Sequence, residues 1–212
     1  MNGFRAELIN KIVGFNAHVT VKPHDSPINL KKLNNTNLKK ISKEFIFSNS
    51  GEGIVISKYN TKGLVLRGYN SKDFFKLEVI KNGDLIGNSN KLSQNSISIG
   101  KELSFNLDLE VGDRVSIMSS VGIETIIGSL PKQETFIISS IFDSGVADFD
   151  ANIVFINLNT LENFFDLKKE NRNLEIYLNN PSNISEVKTQ LQKIFNNEFV
   201  YTWADMNNSL FS

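Results

Sequence analysis

The sequence predicts an α+β protein in which both chain ends build one α/β unit and a β-rich unit is inserted between them. Three observations carry this prediction. The front of the chain reads helix then strand, the back reads strand, helix, strand, and the middle is dominated by strand patterns. The chain has 212 residues, 40% of them apolar, enough for one large or two small domains with a real core.

Each element has its own signal. Phe4, Leu8, Ile9, Ile12 and Val13 recur at helical spacing, so residues 2–13 read as an amphipathic helix stopped near Gly14. Ala17, Val19 and Val21 alternate as a strand ending at Pro23. Residues 23–37, rich in Pro, Asn, Lys and Ser, read as a loop with a short helix. In the middle, 54–59, 63–69 and 75–80 read as strands, and Asn82-Gly83 is a turn signal. A short helix suits 99–109. Strands follow over 114–118, 135–142 and 153–158. Asn159 with Glu162 forms a capping-box pattern that opens a helix through Phe165. Residues 174–178 form a strand. Pro181 and Asn183 open a helix whose buried stripe is Ile184, Val187, Leu191, Ile194 and Phe195. A strand over 199–202 and a last helix from Asp205 complete the chain.

Composition excludes several functions. The 23 basic and 23 acidic residues cancel, which argues against a general nucleic-acid binder. With no cysteine there is no disulfide, thiolate zinc site or thiol nucleophile. No window reaches the roughly 18 consecutive apolar residues of a membrane span. The first residues lack the basic-then-apolar layout of a signal peptide.

No constellation for catalysis survives inspection. A phosphate-binding P-loop around Gly100-Lys101 would need glycine at Asn95 and Ser or Thr at Glu102. His18 and His24 are six apart and share no helix face, so a strand His and a loop His are the plainer reading. Asp143, Asp148 and Asp150 lack the glycine and glutamate offsets of a calcium loop and read as a turn. Trp203 reads as core or interface. The sequence thus predicts no catalytic residue, metal site or cofactor.

One segment stands apart. Residues 119–134, between two strands, run about three times the length of common hairpin loops. They nevertheless carry Val121, Ile123, Ile126, Ile127 and Leu130. A plain solvated loop would be polar. This one either packs on its own domain or projects to dock with a partner.

Five ordered stretches resemble the periplasmic domain of the lipoprotein-releasing ABC transporter permeases, the LolC/LolE family. Met1-Asn-Gly-Phe-Arg-Ala-Glu-Leu8 with Ile12-Val-Gly-Phe-Asn-Ala-His-Val19 is similar to the stretch after the family's first membrane helix. Leu109-Glu-Val-Gly-Asp-Arg-Val115 resembles its "G-v-x-x-G-D-x-v" segment. Ile141-Phe-Asp-Ser-Gly-Val-Ala-Asp-Phe-Asp150 resembles its "F-x-x-G-x-x-x-x-D" turn, and Leu161-Glu-Asn-Phe-Phe165 follows one strand later. Thr202-Trp-Ala-Asp205 through Leu210-Phe211 resembles the lead-in to the second membrane helix.

The resemblance implies a porter-like subdomain over 1–65 and 169–212, and an inserted, sabre-like β-rich subdomain over 66–168, as in the related macrolide-exporter permeases. It implies membrane helices just before Met1 and just after Ser212, and a place on the periplasmic side of a bacterial inner membrane. The implied partners are the periplasmic carrier LolA, the cytoplasmic ATPase subunit LolD, a second permease (LolE-type or a second copy), the lipoprotein substrate and the membrane itself, with no nucleic acid. LolC-type subunits carry a long hairpin, the hook, that recruits LolA. Here the hairpin of about 119–134 would be that hook, with Ile123, Thr125, Ile126, Ile127, Gly128, Leu130, Pro131 and Lys132 at the contact. Gly128 and Pro131 match the hook's "T-P-x-G-x-x-P" pattern, while Ile126 stands where its first proline is expected. The pattern therefore implies a LolC-type or hybrid subunit. The same core occurs in drug or peptide exporters and in permease-like cell-wall regulators without carrier docking.

Overall fold

The computed structural model describes residues 15–57, 60–87, 92–126 and 128–206; side chains at 120, 121 and 123–125 lie outside that description. The helix expected over 2–13 also lies outside it. In chain order the elements are β1 (Val19–Lys22), α1 (Thr36–Ile41), β2 (Ser42–Ile56), β3 (Thr61–Tyr69), α2 (Ser71–Phe74), α3 (Glu78–Lys81) and β4 (Asp84–Gly87). They continue with β5 (Ser96–Gly100), α4 (Lys101–Leu107), β6 (Arg114–Thr125), β7 (Gly128–Asp143), α5 (Ala147–Asn152), β8 (Ile153–Asn157) and α6 (Leu158–Phe165). The last are β9 (Asn173–Leu178), α7 (Ile184–Ile194), β10 (Phe199–Thr202) and α8 (Trp203–Met206). Two compact units result: residues up to Ser48 with those from Lys168 onward, and Asn49–Leu167. The first border falls inside β2, earlier than the sequence border at 65/66, because that strand changes partners: its first half pairs β9 and its second half pairs β6.

The first unit is an antiparallel sheet in the order β10-β1-β9-β2. Strand alternation sends Val19, Val21, Leu174, Ile176 and Val200 to one face. That face buries them with Leu38 of α1 and with Leu191 and Phe195 at the end of α7. The predicted stripe of α7 is this contact; Ile184, Val187 and Ile194 flank it partly buried. Helix α1 starts because the Asn35 side chain accepts the N–H groups of Asn37 and Leu38. At the other end of the chain, the N–H and hydroxyl of Thr202 both donate to Asp205, which also pairs with Lys188 at 2.8 Å. Burial alone would raise the Asp205 carboxyl. The bonds from Lys188 and Thr202 outweigh it and hold the group below its ordinary value.

The second unit closes on itself. Its pairings run β2–β3–β8–β5–β7–β6 and return to β2, with β4 on the outside of β7. Closure removes the edges these six strands would otherwise expose. The interior collects Val55, Leu66, Ile97, Ile99, Val115, Ile117, Phe136, Ile138, Val154 and Ile156, with Leu161, Phe164 and Phe165 of α6 packed against them.

Four local readings differ from the sequence expectation. Residues 75–80 are not a strand but the α2–α3 region, where Phe74, Leu77 and Ile80 are buried at helical spacing. The helix expected from 99 begins at Lys101, after a strand, Ser96–Gly100, buried along its whole length. Helix α6 is capped by Asn157, whose side chain accepts the N–H of Asn159, so Asn159 itself lies inside the helix. Strand β2 extends back to Ser42, well before the expected start at 54, and runs through two glycines. Gly51 is one: a Cβ there would lie 2.5 Å from the Phe165 ring, so the glycine makes room for α6.

Candidate functional site

The segment expected to be a long loop is a β-ladder. Strand β6 runs to Thr125 and β7 starts at Gly128, with Thr125 opposite Gly128, Ile123 opposite Leu130 and Gly122 opposite Pro131. Only two positions of the sequence separate the paired Thr125 and Gly128. The odd-position run Val121, Ile123, Thr125 was the available signal. It is a period-two pattern of β-branched residues, the mark of a strand.

The two ends of this hairpin have different surroundings. At the base, β6 also pairs β2 over Ser116–Ser119, and β7 also pairs β5 from Ile137. Beyond those points the two strands pair only with each other among the described residues. The departure is marked by a bulge: Met118 faces Gln133 and Gly122 faces Pro131, so the intervening stretch of β6 is longer than that of β7. Bulges bend and twist a strand, and here one re-aims the ribbon as it leaves its neighbours.

The predicted contact residues divide accordingly. Ile126 is fully exposed and Leu130 is 51% exposed. Gly128 and Pro131 are also exposed. Gly128 has φ +119°, and a Cβ there would meet nothing within 4 Å, so glycine is selected by the turn's backbone and not by space. Ile123 and Thr125 take their register positions in β6, but their side chains lie outside the described residues, as does Ile127 altogether. Lys132 differs from the rest. Its ammonium donates to Asp166 at 2.6 Å and to the carbonyl of Asn163 at 3.1 Å, tying β7 to the end of α6. A cation at a helix C-terminus also meets the favourable end of the helix dipole. Lys132 is therefore a brace at the ribbon's root.

The other singled-out groups are used by the fold. The His18 ring accepts the N–H of Leu178 at 2.7 Å through Nδ1, and the Trp203 N–H donates to the His18 carbonyl. His24 sits against Asp25 and the Phe199 ring. Asp143 accepts the Gly145 N–H at 2.9 Å and pairs with Lys101 at 2.8 Å. That bond raises the Lys101 ammonium and, with the Gly145 N–H, lowers the Asp143 carboxyl. Burial pushes Asp150 up, against the bonds it accepts from Ser144. These carboxylates close their own turn. Among the described residues no group of three or more His, Cys, Asp or Glu could hold a metal ion. No described helix is long and apolar enough to cross a membrane.

A stretch of 169 residues, 76% of the chain, is 23% identical to the lipoprotein-releasing system transmembrane protein LolC of Xylella fastidiosa, in both strain Temecula1 and strain 9a5c. The match covers 40% of that protein, so the chain corresponds to about two fifths of these relatives. In structure, the periplasmic region of MacB from Actinobacillus actinomycetemcomitans aligns with a TM-score of 0.53 and 9% identity, over 97% of this chain and 98% of that one. The extracellular domain of the noncanonic ABC-type transporter YknZ from Gram-positive bacteria aligns at 0.48 and 15% identity, over 86% of this chain and 100% of that one. No protein-family model matches the chain. The chain is LolC-like in sequence, and its α+β fold is that of the MacB periplasmic region, as the sequence resemblance implies.

Proposed function

We propose that the chain is the periplasmic domain of the membrane subunit of an ATP-driven lipoprotein-releasing complex, and that its β6–β7 ribbon docks the periplasmic carrier LolA. The observation that supports docking is the ribbon tip: among the described residues it has no third strand, yet it presents Ile126 and Leu130 to solvent. Apolar side chains held clear of a core are surplus to folding and suit a partner's cleft.

The energetics define the domain's share of the work. Each acyl methylene drawn from a bilayer costs ~0.8 kcal/mol, so an anchor of several chains costs tens of kcal/mol. A domain of zero net charge with no nucleotide motif does not supply that. The energy comes from ATP on a cytoplasmic subunit of the LolD type, passed through flanking membrane helices and a second permease. The domain relays that movement, and the ribbon holds the carrier where the lipoprotein leaves the membrane. The position is periplasmic, at the inner membrane.

The test is calorimetric titration of the 212-residue chain with LolA, beside a variant whose residues 123–131 are replaced by a short Gly-Ser loop. Micromolar binding that vanishes in the variant is expected. The MacB-like fold favours one other reading, an exporter's periplasmic domain without carrier docking. Absence of carrier binding by the unaltered chain decides for that reading.

A further inference from the structure

The first unit carries a groove that neither folding nor carrier docking uses. Residues of α1 and α7 line one open cleft of about 430 Å³. Its polar lining includes Asn35 and Lys40 from α1 and its cap, and Gln190 and Lys193 from α7. Its apolar lining is Ile41 and Ile194. No Asp or Glu is among the lining residues. Residues 26–43, which include α1, hold five lysines and no acidic residue.

The partners of these groups sharpen the charge. Lys32 is paired with Glu198 at 2.7 Å, and Lys39 donates to the Asn34 side chain. Lys40 and Lys193 are exposed and have no ion pair among the described residues. The Asn35 side-chain oxygen already accepts two backbone N–H groups, so what Asn35 has left to offer is its amide donor. Two lysines without an ion pair among the described residues and a residue with a spare amide donor therefore line one cleft together with two isoleucines.

We infer that this cleft binds the phosphate headgroup of an anionic phospholipid. The donors match a phosphate, and lysine binds phosphate as a point charge without bidentate geometry. The isoleucine floor and the cleft's volume suit an anion with apolar atoms next to its charge; a bare phosphate would leave both unused. The inference concerns the first unit and is independent of the ribbon.

The test is co-sedimentation of the 212-residue chain with vesicles of zwitterionic lipid, with and without phosphatidylglycerol. Binding only to the anionic vesicles is expected. A Lys40→Gln/Lys193→Gln variant should lose it by roughly 25-fold, from a loss of roughly fivefold per lysine. A Lys31→Gln/Lys168→Gln variant carries the same charge change at exposed lysines outside the cleft. It should stay within about twofold. Thermal melts of both variants should match the parent, since all four side chains are exposed. Equal losses in the two variants would overturn the cleft in favour of diffuse surface charge. Absence of vesicle binding by the parent would overturn it outright. Inorganic phosphate that binds as tightly as the vesicle headgroups at equal ionic strength would show that the isoleucines contribute nothing, identify free phosphate as the ligand and overturn the lipid assignment.

Discussion

The base and the tip of the β6–β7 hairpin are made from the same kinds of residue on the same two strands, and they end in opposite environments. At the base, Val115, Ile117, Phe136 and Ile138 are at most 3% exposed, and Phe136 meets the Phe164 ring edge-on at 6.3 Å. At the tip, Ile126 and Leu130 stand in solvent. Composition does not separate the two; neighbours do. The base has β2 on one side, β5 on the other and α6 across its inner face. Among the described residues the tip pairs only with itself. A two-stranded ribbon is at best marginally stable alone, so the tip borrows its order from the closed ring below it. Its apolar side chains contribute little to that order and remain available to a partner.

The largest expected effect tests this division directly. Phe136→Ala empties the base of a fully buried ring and should cost about 3–5 kcal/mol in urea unfolding of the 212-residue chain. Ile126→Ser removes a side chain of similar hydrophobic character and should cost less than about 0.5 kcal/mol. A comparable loss in both would mean the tip is packed, and the comparison would collapse.

Much of this frame was legible in the sequence, and the exceptions have physical causes. The strand at 19–22 and the stripe of α7 were readable because the apolar residues of each keep a clean period. Residues 75–80 were misread because Phe75, Leu77 and Val79 fit an alternating pattern while Phe74, Leu77 and Ile80 fit a helical one, and a short apolar run cannot choose. The hairpin's importance was legible in its apolar content, but its ladder was hidden behind Gly122, Gly128 and Pro131, which read locally as loop residues. Gly122 is in fact a close approach: a Cβ there would collide with the Ser129 hydroxyl. The bracing of Lys132 by Asp166 joins residues 34 apart, and the cleft between α1 and α7 joins segments from the two ends of the chain. No local pattern encodes either pairing.

An intermediate effect sharpens the picture of the turn. Gly128→Ala keeps the tip's apolar groups and alters only the backbone preference at φ +119°. The strain should be roughly 1 kcal/mol or more, localised to the ribbon. Hydrogen exchange at the amides of 122–130 should quicken by about fivefold or more, while the urea midpoint of the ring barely moves; under the proposed docking, carrier affinity should weaken with it. Unchanged exchange would show that the turn is not pinned by this glycine.

The smallest expected effect concerns the join between the two regions. Lys132 is only 21% exposed in its side chain, but Asp166 is 66% exposed, so water screens much of their attraction. Lys132→Met should therefore cost no more than about 1 kcal/mol of global stability. Its consequence should lie in direction and not in stability. The ammonium grips both a carboxylate and the last turn of α6 at the point where the bulge frees β6 from β2. Without that grip the ribbon keeps its internal ladder but loses its fixed angle to the ring. Spin labels at Ser129 and at a surface position of α6 such as Asn163 should report a broadened distance distribution in the variant, with Lys132→Arg restoring most of the narrow one. If the distribution stays narrow in Lys132→Met, the bulge alone aims the tip. In that case the difference between base and tip is settled by backbone geometry, and the brace is an ordinary surface ion pair.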